Sequence, residues 1–105
     1  MFIEHRTYTI RPGKTLEYLD LYGRLGWPAH SEHSICKGHY YSDVGQMCRV
    51  VSMWEYESLE DRAKRGAALR ADPRWQEVMP QIASLVTDIQ SNILLPSSFW
   101  KETQK

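Results

Sequence analysis

The stretch FIEHRTYTIRPGK, residues 2–14, alternates like a strand and then breaks at Pro12-Gly13 before a helical pattern begins. β-Branched and aromatic residues run up to Ile10, which predicts a strand ending near Arg11. One parity of this strand carries Glu4, Arg6 and Tyr8. Unpaired burial of such charges costs on the order of several kcal/mol, and a buried ion pair is often no better than packed apolar groups. If the strand is central in its sheet, this parity is expected to line a wet pocket. Arg6 would hold a carboxylate, enolate or phenolate through its planar fork, with Glu4 orienting it and Tyr8 offering a hydroxyl. The alternative is a structural Glu4–Arg6 network that ties a dimer together. His5, on the other parity, is expected to pack beneath a helix.

Downstream, Leu16, Leu19, Tyr22 and Leu25 recur at every third residue, flanked by Tyr18 and Leu21. This predicts an amphipathic helix over 15–25 that ends or bends between Gly26 and Pro28. ICKGHYYSDVGQMCRVVSMWEY, residues 35–56, reads as two strands around DVGQ, where Gly45 permits a tight turn. If Val44 faces Met47 across that turn, counting outward sets His39 opposite Ser52 on one face of the sheet. Ser58 with Asp61 forms a capping box before LEDRAKRGAALRA, and Asp72-Pro73 restarts a helix with Asp as N-cap. That last helix buries Trp75, Val78, Met79, Ile82, Leu85 and Val86, and Pro80 predicts a kink or two short segments. DIQSNILLP, residues 88–96, is a final strand, and in the tail 97–105 Phe99 and Trp100 are expected to dock.

The predicted order is βαββαβ, an α+β ferredoxin-like antiparallel sheet in a single domain over 1–105 with an ordered core of 2–96. Helices cover one face of such a sheet. An open face carrying Ile10, Val50 and Trp54 is too large an apolar patch to leave wet, so a homodimeric α/β barrel is expected.

At 105 residues, with 42% hydrophobic and 25% charged residues, the composition is that of a soluble globular chain. Thirteen basic residues against thirteen acidic ones argue against nucleic-acid binding, and no apolar run is long enough to span a membrane. A strand at the N-terminus instead of a secretory signal, with Cys36 and Cys48 in no CxxC pattern, leads to an expectation of cytoplasmic location and reduced thiols.

His30, His33 and Cys36 form an H-x-x-H-x-x-C series that lacks an evident fourth ligand and is expected to be loop, so no metal is predicted. Arg62, Lys64, Arg65, Arg70 and Arg74 are interleaved with acidic residues and are expected to form a solvated helix face. Of Trp54, Tyr56 and Trp75, only Trp54 is placed near the pocket. The chain has no Ser-His-Asp set, phosphate-binding Gly-rich loop or HExxH helix, and no cofactor is expected.

FIEHRTYTIRPGK, VVSMWEYESLEDRAKRGAALRADPRWQ and ILLPSSF together resemble the NIPSNAP family over nearly the whole chain. Glu4, Arg6, Tyr8, Trp54 and Tyr56 match its motif positions. The family's fold is similar to the dimeric α/β barrel, so the resemblance implies an architecture more than a reaction. It departs at two places: His39 stands where relatives usually carry an aromatic residue, and Ser52 where they often carry a His. The expected function is binding of a small anionic or aromatic molecule between sheet and helices, with Glu4, Arg6, Tyr8, His39, Ser52 and Trp54 lining the site. Two alternatives stay open. One is a cofactor-independent monooxygenase or isomerase using His39 or Glu4 for proton transfer. The other is a non-enzymatic interaction or scaffolding module.

Overall fold

The structure, a computed structural model, describes residues 1–100. Four strands, β1 (Phe2–Ile10), β2 (Ile35–Tyr41), β3 (Arg49–Tyr56) and β4 (Val86–Leu94), form one antiparallel sheet in the order β2-β3-β1-β4. Between β1 and β2 lie α1 (Thr15–Leu21), a π-helical segment (Tyr22–Gly26) and α2 (Trp27–His33). α3 (Leu59–Ala71) and α4 (Pro73–Ser84) connect β3 to β4. This is the ferredoxin-like order expected from the sequence, with β1 central.

Strict alternation in β3 buries Val50, Ser52, Trp54 and Tyr56 and leaves the residues between them half-buried. In register with them, Phe2, Glu4, Arg6, Tyr8 and Ile10 of β1 face the helices. The apolar part of this layer joins Ile10 and Val50 to Tyr18, Tyr22, Val78, Ile82 and Leu85. Each such aliphatic side chain contributes about 1.5–3 kcal/mol. Ile10, Val50 and Trp54 therefore lie beneath the helices and not on the open face. Period two gives Ile10 the parity of Glu4 and Arg6, and the helices cover that parity. His5 is corrected with them: it sits on the uncovered face between Met53 and Asn92, under no helix.

The first helix does not stop at Gly26. The Trp27 N–H bonds the Tyr22 carbonyl five residues back, which makes a π turn, and Pro28 falls in the first turn of α2, where its missing donor has no partner to lose. The extra residue moves the buried stripe. Leu16 and Leu25 are exposed, while Tyr18, Tyr22, Gly26, Ala29 and His30 are buried. A Cβ on Gly26 would come within 2.9 Å of the Tyr22 ring and 3.2 Å of Ile82. The glycine therefore lets the π segment and α4 approach. α4 runs unbroken through Pro80, whose exposed position leaves the Gln76 carbonyl to solvent.

Both predicted caps are present. The Asp61 N–H donates to Ser58 Oγ at 3.0 Å, and the Arg74 N–H to Asp72 at 2.9 Å. The β2–β3 connection is wider than a two-residue turn, with Gly45 and Cys48 at positive φ, yet Tyr41 still pairs with Val50 and His39 with Ser52. A register shift between Cys36 and Gly38 absorbs Lys37 as a bulge. At the other end, Trp100 borders a groove with Ile3, Met53 and Leu94 on the open face, while Phe99 is exposed. The rest of the expected tail, 101–105, lies outside the described residues.

Glu4 is 2% exposed at the centre of the sheet, and its partner is not Arg6. Arg62 of α3 grips it with two hydrogen bonds, Nε at 2.9 Å and the terminal nitrogen at 3.0 Å, and the Ser91 hydroxyl of β4 donates to the same carboxylate. α3 buries only Leu69, so this fork is its main hold on the sheet. Arg62→Ala should strand a buried carboxylate and lower the urea-unfolding free energy by about 2–3 kcal/mol, less than a fully buried pair would lose because Arg62 is 44% exposed. Adding Glu4→Gln to that variant should recover part of the loss. An Arg62→Ala protein of wild-type stability would refute this anchoring role.

Candidate functional site

A row of polar residues crosses the helix-covered face of the sheet at one level: His39 on β2, Ser52 on β3, Arg6 on β1 and Ser91 on β4. Opposed residues of antiparallel strands point the same way, so the row lies beneath the helices. Above it is a small cavity lined by Tyr8, His39 and Ser52 from the sheet, Tyr18, Tyr22 and His30 from the first helical run, and Trp75, Met79 and Ile82 from α4. Its volume is about 20 Å³, room for roughly one water.

The hydrogen bonds around the cavity are short and neutral. Tyr22 Oη and His30 Nδ1 lie 2.8 Å apart. The Trp54 indole N–H donates to Ser52 Oγ at 2.9 Å, and the His30 ring stacks on Trp54 with centroids 3.7 Å apart. His39 stacks on Tyr22 at 5.1 Å and 16°. Burial, with the Arg6 charge second, pushes His30 down to about 3. Burial also lowers His39, and it raises the phenols of Tyr8, Tyr18 and Tyr22. At neutral pH the cavity wall is thus a set of uncharged donors and acceptors, and His39 is a neutral imidazole with the chemistry to take a proton.

Arg6 is the exception. Its Nε is buried with no acceptor, and among the described residues its guanidinium makes no ion pair. The charge lies over the Tyr8 ring at 5.2 Å, a cation–π contact with a side chain that lines the cavity. Glu4 is already satisfied by Arg62 and Ser91. Burial alone would raise its carboxyl, but those hydrogen bonds and the Arg6 charge hold it below the ordinary value.

Of the six side chains expected at the site, Tyr8, His39 and Ser52 line the cavity, whereas Arg6 and Trp54 stand behind it and Glu4 is held away. His30, Tyr18, Tyr22, Trp75, Met79 and Ile82 complete the wall. Trp75, which the sequence does not place there, approaches His30 at 5.1 Å. The His30–His33–Cys36 series is not a loop: both histidines are on α2 and Cys36 is on β2. Each imidazole is taken by a different partner, His33 bonding Asp72 at 3.0 Å. Glu32, His33 and Asp72 bring three ligand-type atoms within 4.8 Å. The Arg74 guanidinium already fills the cation's role there, at 2.6 Å from Asp72 and 3.1 Å from Glu32. Arg65 in turn donates to Asp61 and to the His33 carbonyl, so the basic series of α3 and α4 is partly a set of structural ties.

The buried imidazole makes the fold acid-sensitive. His30 has an ordinary value of 6.5 when unfolded and about 3 when folded, so below pH 6.5 the unfolded chain takes up a proton that the folded one refuses. Stability is lost as pH falls through that window, by about 2 kcal/mol between pH 7 and pH 5. His39 acts in the same direction. Urea titrations at the two pH values should show this slope, and His30→Phe should flatten it. An unchanged slope in that variant would assign the acid sensitivity elsewhere.

The NIPSNAP family profile matches residues 3–101. The chain is 28% identical over 94 residues to Protein NipSnap homolog 2 of Danio rerio, a match that covers 89% of this chain and 32% of that protein. It thus spans about a third of that relative's length. Among solved structures, an uncharacterized NIPSNAP domain protein from Burkholderia xenovorans superposes with a TM-score of 0.92 at 32% identity, over 97% of this chain and 100% of that one. A crystal structure of an antibiotic biosynthesis monooxygenase superposes with a TM-score of 0.66 at 15% identity, over 92% of this chain and 99% of that one, and shares the fold alone. No described helix is long and apolar enough to cross a membrane. With its profile match running almost end to end and the same fold in its structural neighbours, the chain belongs to the NIPSNAP family.

Proposed function

We propose that this protein binds a small molecule bearing a planar anion on the helix-covered face of its sheet, and that it does so as a homodimer. The observation that carries the first part is Arg6: a guanidinium whose Nε is buried without an acceptor, beside a cavity walled by neutral groups. An unsatisfied buried donor costs about 1–3 kcal/mol, more when it is charged. A carboxylate, enolate or phenolate oxygen would remove that cost through the fork geometry of the guanidinium. Glu4 cannot compete for it, being occupied by Arg62.

The second part rests on the uncovered face. Thr7, Val51 and Met53 lie at its centre with no helix over them, and Ile35, Tyr40 and Leu94 around them are each more than 40% exposed. A second sheet packed against the first would cover this surface.

Arg6→Met keeps the length of the side chain and removes the unpaired charge. It should leave the empty protein as stable as wild type or more stable by about 1–2 kcal/mol, and abolish retention of anionic small molecules in native mass spectrometry. Retention unchanged in the variant would overturn the assignment. Sedimentation equilibrium should give twice the monomer mass at micromolar concentration, with Val51→Lys shifting it to monomer, while a wild-type monomer would exclude the pairing of sheets.

A further inference from the structure

The cavity admits little more than a water, so most of any ligand held near Arg6 must lie elsewhere. A groove between α4 and β4 begins where the cavity ends. It is lined by Tyr8, Met79, Ile82, Ala83, Val86 and Ile89, with Thr87 and Asp88 at its side, and as an open cleft offers about 360 Å³, within the range of small-molecule sites. Tyr8, Met79 and Ile82 line both spaces. Tyr8 also carries the Arg6 charge on its ring face. A half-buried cation, a water-sized polar chamber and an apolar trough thus meet at one side chain.

Building on the proposed anion site, we propose that the ligand is a carboxylate with an apolar tail, its headgroup at Arg6 and its tail along the α4–β4 groove. The charges fix the orientation. Among the described residues lining the groove Asp88 alone is charged and offers an anion no partner, whereas Arg6, over the Tyr8 ring that lines both spaces, attracts one. Thr87 does not compete as a donor to the headgroup, because its hydroxyl already bonds the Thr9 carbonyl at 3.3 Å. The other lining residues are hydrocarbon, thioether or aromatic surface suited to an alkyl or aryl chain.

Isothermal titration of the full chain with straight-chain carboxylates from acetate to octanoate, and with primary alcohols of equal length, tests both halves. Affinity should rise about fourfold per methylene and then level off as the groove fills. Alcohols should bind at least tenfold more weakly than carboxylates of the same length. Ala83→Leu, at an exposed helical position that lines the groove and not the cavity, should flatten the chain-length dependence and leave short carboxylates unaffected. Arg6→Met should abolish the preference for carboxylate over alcohol and keep the chain-length dependence. Carboxylates that bind through Arg6 with no dependence on length would overturn the groove and leave the anion site standing. Equal affinity for alcohols and carboxylates would overturn both, as would an absence of binding to any of these probes.

Discussion

A carboxylate placed at the centre of a sheet, out of reach of water, must find a cation, and Glu4 finds one fifty-eight positions along the chain in Arg62. Much of the helical layer over the β1 side of the sheet follows from that pairing. α3 has too little apolar surface to bury itself, and the fork between Arg62 and Glu4, with Ser91 as a third partner, supplies the attachment that hydrophobic packing does not. The same pairing leaves Arg6, two residues away on the same face, without an ion-pair partner among the described residues. One charge on the strand is thus structural and the next is available, although both sit on a parity that would ordinarily be apolar.

Low polarity around Arg6 gives that availability its force. The histidines nearest the cavity are held neutral and the tyrosines are held protonated, so none of the described residues lining it is ionised. In such surroundings Coulomb attraction is several times stronger than in water. The aromatic stacks of His30 on Trp54 and His39 on Tyr22 fix ring orientations, so the donors and acceptors of the wall are set in place before anything arrives.

Much of this was legible in the chain. The alternation of β3, the caps at Ser58 and Asp72 and the register that opposes His39 to Ser52 follow from local chemistry with short range. The register survived a wider connection than expected because one buried face permits only one pairing parity. Three things were not legible. The partner of Glu4 lies far along the sequence on a helix whose basic residues look like solvated surface. The buried stripe of the first helical run changes phase at the π turn, which no regular periodicity anticipates, so His30 reads as loop when it is core. The helix-covered parity holds both charged and apolar residues, which hides that Ile10, Val50 and Trp54 belong with Glu4 and Arg6.

The π segment also has a meaning for how sequences of this fold can change length. Five residues, Tyr22–Gly26, occupy a stretch in which the backbone is wound with one residue more than an α-helix needs. In an uninterrupted α-helix of 3.6 residues per turn, one extra residue would turn everything after it by about 100° about the helix axis, and the wider π turn absorbs that rotation. His30 lies downstream of the π turn, and its stack on Trp54 and its bond to Tyr22 depend on the phase that this turn keeps. A chain lacking one residue here would close the π turn into a regular α-helix and keep the imidazole in the same phase. The π turn therefore lets chains of two lengths present one cavity wall, and a relative with a one-residue gap at this point is expected to run a regular helix and hold its downstream side chains in the same places.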